Sequence, residues 1–335
     1  MLRNKKNKIV VGIVGLGVGA FHLKNSLLNK NTFVKYICDT NETRLQFYKK
    51  KFNVPKATKN FNNIVNDKDV NLIIIASNDK DHFNQVSKSL KNNKHVFVEK
   101  PMCLTMKDLN TIQKIKKQKP NLYISSNLVL REHPFFKNLF KNKKKLKKIY
   151  FLEGDYNYGR LEKLTRGWRG KIKNYSVILG GGIHLLDLVL KLKKKKVKEI
   201  YTMSNKIITD KFKNTTDDFA VSLLKFEDNS IAKISSNFSS STDHHHIFNI
   251  YSQKFSYFYK RDKSEQFFRE NEKKNKKEIK YKFDNQMKGQ ILNNFIKAVR
   301  TKTKKLITPE NELFYLMKIC LLMVKSHKKN KIIKL

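Results

Sequence analysis

The run Ile9–Val14, followed at once by Gly15-Leu16-Gly17-Val18-Gly19-Ala20, constrains the fold of this chain more than any other feature. A short run rich in β-branched side chains, with no polar alternation, suits a strand buried on both faces. The glycines then permit a tight turn, and Phe21–Leu28 continues with helical spacing. Strand, glycine turn and helix in that order let backbone amides approach a pyrophosphate at a helix N-terminus. Asp39 ends the next apolar run, Phe33–Cys38, 20 residues after Gly19. A carboxylate there accepts hydrogen bonds from a ribose and repels a 2′-phosphate. The pattern predicts a dinucleotide held by Gly15, Gly17, Gly19, Ala20 and Asp39, with NAD preferred. Arg44, five residues beyond Asp39, leaves NADP open as a second cofactor.

The same stretch imitates a secretion signal, because Arg3, Lys5, Lys6 and Lys8 precede the apolar run. The glycines interrupt that run, and no small-residue cleavage site follows it. No apolar stretch approaches the roughly 20 residues a spanning helix requires. Cys38, Cys103 and Cys320 are odd in number and far apart, which excludes a disulfide scaffold and suits a reducing cytoplasm.

Alternation continues to about residue 130. Apolar strands Leu72–Ala76, Val96–Val98 and Leu122–Ser126 are separated by helical segments Glu42–Lys51, Phe83–Leu90 and Met106–Lys116. Such alternation implies right-handed βαβ units and a doubly wound parallel sheet. Beyond Glu132 the period changes to alternating stretches: Ile149–Tyr158, Ile200–Met203, Phe219–Phe226, Ile231–Phe238 and Ile247–Tyr259. Glu227-Asp228-Asn229-Ser230 reads as a hairpin turn. A helix near His184–Leu192 and closing helices Gln286–Arg300 and Glu310–Lys325 complete the set. The chain is α/β, with a parallel domain at 1–128 and a second α/β domain at 129–335 built on an open, mainly antiparallel sheet.

The net charge of +44 invites a nucleic-acid reading. Only nine of the 72 basic residues are arginine, whereas readers of bases and phosphates favour its bidentate fork. The lysines scatter in runs such as Lys143–Lys148, Lys193–Lys198, Lys273–Lys280 and Lys328–Lys334, alongside abundant asparagine and isoleucine. They read as solvated turns and helix faces, so neither a nucleic acid nor a membrane is expected as partner.

Val96-Phe97-Val98-Glu99-Lys100-Pro101 places a carboxylate and an ammonium at the carboxyl end of a strand, where open parallel sheets bind ligands. A lysine there, Lys100, hydrogen-bonds a substrate hydroxyl and the nicotinamide ribose, and its charge favours the alkoxide that hydride loss requires.

Together the glycine turn, Asp39, Ala76-Ser77-Asn78 with His82, Glu99-Lys100-Pro101, Asn127–Pro134 and Gly180–Asp187 resemble the Gfo/Idh/MocA oxidoreductases. The resemblance covers nearly the whole chain. It implies an N-terminal Rossmann domain, a C-terminal open-sheet domain, and NAD(P)-dependent oxidation or reduction of sugars, cyclitols or nucleotide sugars. It also implies dimers or tetramers. Residue by residue, it makes Lys100 the active-site lysine and His184 the general acid/base, and puts Arg131 in the substrate pocket. Asn78 and Glu99 then lie near the nicotinamide half of the cofactor, with His82 structural or adjacent to it. One position departs. Many members carry an aspartate four residues before the catalytic histidine, where this chain has Gly180. Asp187 lies on the other side of the histidine, and Tyr175 is the substitute proton relay weighed for the missing acid.

Independently of the resemblance, His184 suits proton transfer at neutral pH, since imidazole titrates near 6.5. Tyr156, Tyr158, Trp168, Arg169 and Tyr175 are further substrate-contact candidates. Asp243-His244-His245-His246 looks like a metal tract, but consecutive strand residues alternate faces and do not all converge, which leaves a substrate-pocket or interface role open for one of them. No metal is expected. The alternative in a different class is a dinucleotide-binding sensor without turnover, which Gly180 favours and the pair Lys100 and His184 opposes.

Overall fold

The protein, seen in a computed structural model, is described over residues 8–172, 175–212, 216–260, 263–270, 273–281 and 287–335. Its contacts divide it into two compact units: Met1–Val129 with Asn285–Met317, and Leu130–Asp284 with Lys318–Leu335.

In the first unit β1 (Ile9–Val14), α1 (Gly19–Leu28), β2 (Thr32–Cys38), α2 (Glu42–Phe52), β3 (Lys56–Thr58), α3 (Asn62–Val65), β4 (Leu72–Ile75), α4 (Asp79–Lys91), β5 (His95–Val98), α5 (Met106–Gln118) and β6 (Ile124–Ser126) follow one another. All six strands are parallel, in the order β3-β2-β1-β4-β5-β6. Every residue of β4 is fully buried, because helices cover both faces of a central parallel strand. Side-chain caps start two of the helices: Asn41 accepts from Arg44 N at 2.8 Å, and Thr105 from Asp108 N at 3.1 Å. The strand order reverses between β1 and β4, and a crevice at the carboxyl ends of strands is expected at such a switch point. The edge strand β3 is absent from the sequence reading, since three residues are too few to show a period.

The second unit begins with α6 (Pro134–Asn142), β7 (Ile149–Asn157) and the short α7 (Glu162–Thr165), then a π-helical turn, Ile178–Gly182, that runs straight into α8 (Ile183–Lys193). The strands β8 (Val197–Asn205), β9 (Phe219–Phe226), β10 (Ile231–Asn237), β11 (His245–Ser252), β12 (Phe255–Lys260), β13 (Lys263–Glu270) and β14 (Lys273–Ile279) come next. With β15 (Ile333–Lys334) they form a nine-stranded sheet, β14-β13-β12-β11-β7-β10-β9-β8-β15, in which only β10 and β7 pair parallel.

Three expectations change here. Ile247–Tyr259 is two strands, broken where Ser252 Oγ donates to Phe255 O at 2.8 Å and accepts from Phe255 N at 3.2 Å. Three consecutive polar residues, Ser252-Gln253-Lys254, interrupt the alternation at that turn. The lysine run from Lys273 is strand β14, with Lys276 paired to Glu265 at 2.6 Å. The Lys193 side chain is buried and donates to Asp228 at 2.6 Å and to the Ile149 carbonyl at 3.1 Å. Burial pushes the Asp228 carboxyl up, but the hydrogen bonds from Lys193 and Ser230 outweigh it and hold it at about 2.

The chain closes with α9 (Met287–Thr301) and α10 (Glu310–Lys329). Helix α9 belongs to the core of the first unit: Ile291, Leu292, Phe295, Ile296 and Val299 pack with Ile13, Leu72, Ile74 and Phe97. The rings of Phe97 and Phe295 lie 5.5 Å apart. Among the described residues, no helix is long and apolar enough to cross a membrane.

Two histidines, His95 half-buried and His133 buried, contribute to the acid stability. Burial, with the charge of Lys116 added, pushes His95 down to about 4, and its Nδ1 accepts from Tyr123 N at 3.0 Å. Burial alone brings His133 to about 4. Both are neutral in the fold, whereas the unfolded chain takes up their protons near pH 6.5. Their contribution is therefore complete above about pH 6.5 and lost as pH falls towards about 4. The urea midpoint should drop across that window, and His95→Gln should flatten the drop. A midpoint constant from pH 6.5 to 4 would contradict this account.

Candidate active site

The first unit assembles a dinucleotide cradle at the switch point. Gly15 adopts φ +82°, and a Cβ on it would lie 2.4 Å from the Ala76 carbonyl oxygen, so only glycine fits. A Cβ on Gly17 would meet nothing within 4 Å, which leaves its backbone open to a ligand. Gly19 opens α1, with Ala20 behind it, and packs on Ala76 and Ile13. These three positions meet the three demands of a pyrophosphate turn: tight bend, open approach and close helix packing.

Asp39 completes the cradle. Its Oδ2 accepts from Leu16 N at 2.7 Å and its Oδ1 from Asn41 N at 2.8 Å, which locks the carboxylate at the end of β2. The Arg44 guanidinium reaches Oδ2 at 3.3 Å, so both residues at this corner are engaged with each other. The residues present fit a dinucleotide whose adenosine ribose lies at Asp39.

At the end of β5, Glu99 is held by two residues from elsewhere in the unit. His22 Nε2, on α1, lies 2.8 Å from Glu99 Oε1, and Asn127 Nδ2 donates to the same oxygen at 2.8 Å. Because a carboxylate only accepts, His22 carries its proton on Nε2 here. Burial pushes the Glu99 carboxyl up, but the hydrogen bond and charge of His22, the Asn127 amide and the Lys100 ammonium hold it below the usual range. Lys100 follows, half-buried, ahead of Pro101. His82 is fully buried, with Nδ1 2.7 Å from the Pro101 carbonyl and Nε2 3.2 Å from the Ser77 carbonyl. It braces the segments after β4 and β5 against each other. Asn78, half-buried, precedes α4 as its N-cap.

The second unit assembles an aromatic and imidazole face. His184, the second residue of α8, is nearly buried, its ring stacked 6.2 Å from Tyr156 on β7. His246 lies opposite Tyr156 in the β11–β7 register, with ring centroids 5.0 Å apart, and His244 lies 5.1 Å from Tyr156. His245 instead meets Asn157 at 3.3 Å, as strand alternation requires. Phe238 packs on Tyr158, centroids 4.7 Å apart. Arg169 covers the Trp168 ring at 4.4 Å, and Arg160 the Tyr158 ring at 5.2 Å.

Arg131 and Asp187 are joined to each other. Arg131 Nε donates to Asp187 Oδ2 at 2.8 Å and Nη2 to Oδ1 at 2.5 Å, both side chains buried. Asp187 sits three residues after His184 on α8, so the fork fixes the helix that carries the histidine. The missing acid at Gly180 also has a structural counterpart. A Cβ built on Gly180 would lie 1.9 Å from the Tyr175 hydroxyl oxygen, so that hydroxyl fills the space a side chain would take. The sequence reading does not single out His22, a polar position on the buried face of α1. It weighs a substrate-pocket or interface role for one of His244, His245 and His246, whereas His244 and His246 both lie against Tyr156. An i, i+2 count along 244–246 pairs these two.

The comparisons with known proteins agree with this fold. Residues 9–127 match the family model described as an oxidoreductase family with an NAD-binding Rossmann fold, and residues 142–257 match the GFO/IDH/MocA C-terminal domain. The chain belongs to the Gfo/Idh/MocA oxidoreductase family, and its first unit is an NAD-binding Rossmann fold. The myo-inositol 2-dehydrogenase of Thermotoga maritima is 26% identical over 233 residues, 67% of each chain. The inositol 2-dehydrogenase of Salmonella typhimurium is 33% identical over 105 residues, 30% of this chain and 31% of that relative. A crystal structure of scyllo-inositol dehydrogenase from Lactobacillus casei with bound NAD(H) and scyllo-inositol matches at TM-score 0.80 and 19% identity, covering 98% of this chain and 99% of that one.

The Gly180 contact gives a direct test. Gly180→Ala should destabilise the protein by about 1–3 kcal/mol through overpacking against Tyr175. Adding Tyr175→Phe, which removes the clashing oxygen, should restore part of that loss in urea unfolding. Equal losses in the single and double variants would refute the proposed clash.

Proposed function

We propose that the protein is an NAD-dependent dehydrogenase that oxidises a secondary hydroxyl of a sugar or cyclitol, or reduces the matching ketone. The observation that carries this reading is the locked Asp39 carboxylate beside a glycine turn that fits a pyrophosphate. The inositol dehydrogenases among its relatives support a polyol substrate. When bound, NAD supplies the nicotinamide ring that accepts the hydride.

The chain's own residues supply the rest. Lys100 donates a hydrogen bond to the reacting hydroxyl, and its charge lowers the cost of the alkoxide. His184 accepts the hydroxyl proton as hydride leaves the same carbon, and returns it when a ketone is reduced. The carbon loses one hydrogen as hydride and its oxygen one as a proton, so alcohol becomes ketone with atoms and charge balanced. The Arg131–Asp187 fork holds α8, and with it His184, in one orientation. Glu99 acts as a positioning residue, fixed by His22 and Asn127 directly before Lys100. Asp39 selects against a 2′-phosphate by charge and by having no hydrogen to donate.

Saturating NAD(H), at about 100 times its dissociation constant, should stabilise the protein by roughly 2.7 kcal/mol in thermal unfolding. NADP(H) should do less, and Asp39→Ala should abolish the difference. No shift with either cofactor would sink the reading. In turnover with a cyclitol or sugar panel, Lys100→Ala and His184→Ala should each lower kcat by about 10²–10⁴. Both variants should keep the NAD-induced thermal shift, which separates lost chemistry from lost folding.

A further inference from the structure

A doubly wound sheet has two halves, and each takes one mononucleotide beyond the carboxyl ends of its strands. Here the half made of β1, β2 and β3 ends at the glycine turn and Asp39, the place for the adenosine ribose. The other half is β4, β5 and β6. Asn78 lies just beyond β4, Glu99 and Lys100 directly follow β5, and Asn127 follows β6. The nicotinamide end of a dinucleotide laid across the switch point falls to this second half.

The Glu99 side chain is only 13% exposed, and His22 Nε2 and Asn127 Nδ2 both donate to its Oε1 at 2.8 Å. Among the described residues, no hydrogen bond reaches Oε2. These two hydrogen bonds do not call for an acid. A glutamine at this position would accept both at its carbonyl oxygen, without the cost of burying a charge. What the carboxylate alone supplies is the charge itself. A use for it lies in the same half of the sheet. The oxidised nicotinamide ring is a cation, and the Lys100 ammonium stands at the end of the same strand as Glu99. Two positive charges there repel, more strongly in a partly buried site than in water. When a hydride reaches the ring, one proton and two electrons arrive together and the ring becomes neutral, while Lys100 keeps its charge.

We propose that the Glu99 carboxylate is the counter-charge of the oxidised nicotinamide ring. It lets the cationic ring and the Lys100 ammonium share one end of the sheet, and it sets the balance between NAD⁺ and NADH there. This rests on the dehydrogenase reading above and gives Glu99 a role towards the cofactor beyond positioning Lys100. The attraction ends when the ring loses its charge, so Glu99 favours entry of the oxidised cofactor and exit of the reduced one. His22 and Asn127 keep the carboxylate in place for that task.

Calorimetric titration of the full chain with NAD⁺ and with NADH gives the ratio of their dissociation constants, NADH over NAD⁺, without any turnover. Glu99→Gln should lower that ratio by about tenfold, chiefly through weaker NAD⁺ binding, which for a two-electron couple is about 30 mV in the potential of the bound cofactor. Glu99→Asp, which keeps the charge on a shorter stem, should fall between wild type and Glu99→Gln. Lys100→Met should move the ratio the other way, since removing a neighbouring cation favours the cationic ring. Melting curves check that each variant folds, and if Glu99→Gln does not, Lys100→Met decides alone. Equal changes for both cofactor forms in Glu99→Gln, as expected of a residue that only supports the fold, would overturn the proposal and leave the dehydrogenase reading standing. A ratio that stays constant or falls in Lys100→Met would overturn it too. If the wild-type protein binds neither form, the dehydrogenase reading fails and the counter-charge falls with it.

Discussion

The ends of β1 and β4 meet more closely than any side chain would allow, because Gly15 turns with positive φ directly over the Ala76 carbonyl. Much of the first unit follows from that contact. It lets the chain leave β1 and enter α1 within a few residues, and it brings Leu16 N within reach of the Asp39 carboxylate on β2. One backbone bend therefore couples the pyrophosphate turn to the residue that reads the ribose. On the far side of β4, β5 ends in Glu99, and the same α1 that starts at the turn supplies His22 to hold that carboxylate. Helix α1 thus serves both halves of the cradle, through its N-terminus at one end and His22 at the other.

The second unit is organised around α8. A π-helical turn delivers His184 to the first turn of the helix, and the fork from Arg131 grips the same helix one turn later. A buried ion pair of this kind contributes little net stability, yet losing one partner strands the other charge in the interior. Its value is therefore orientation. The Tyr175 hydroxyl at Gly180 works in the same direction: a site that lacks a carboxylate on the helix has a hydroxyl brought to that place from the preceding segment.

Parts of this were legible in the sequence for a physical reason. A strand buried on both faces, a glycine turn and an acid at the next strand end are local signals, each readable within a few residues. The pattern from Ile9 to Asp39 therefore predicts its own geometry, and Lys100 and His184 stand out by position beside strand and helix boundaries. Pairings between distant segments were not legible. Nothing near His22 points to Glu99, 77 residues away, and nothing near Arg131 requires Asp187 rather than a substrate as its partner. The lysine runs misled for a different reason. In a chain so rich in lysine, a strand such as β14 loses its alternation to composition, and only its pairing with β13 reveals it.

The core of the Rossmann unit contains Phe295 and its neighbours on α9, more than 150 residues beyond β6. A ribosome making this chain emits all six parallel strands long before α9, which completes their cover. Until α9 emerges, the side of Phe97 that meets Phe295 lacks that helix, and the intervening sheet must be synthesised in the meantime. The order of synthesis and the order of completion are thus reversed: the dinucleotide-binding half starts first and finishes among the last.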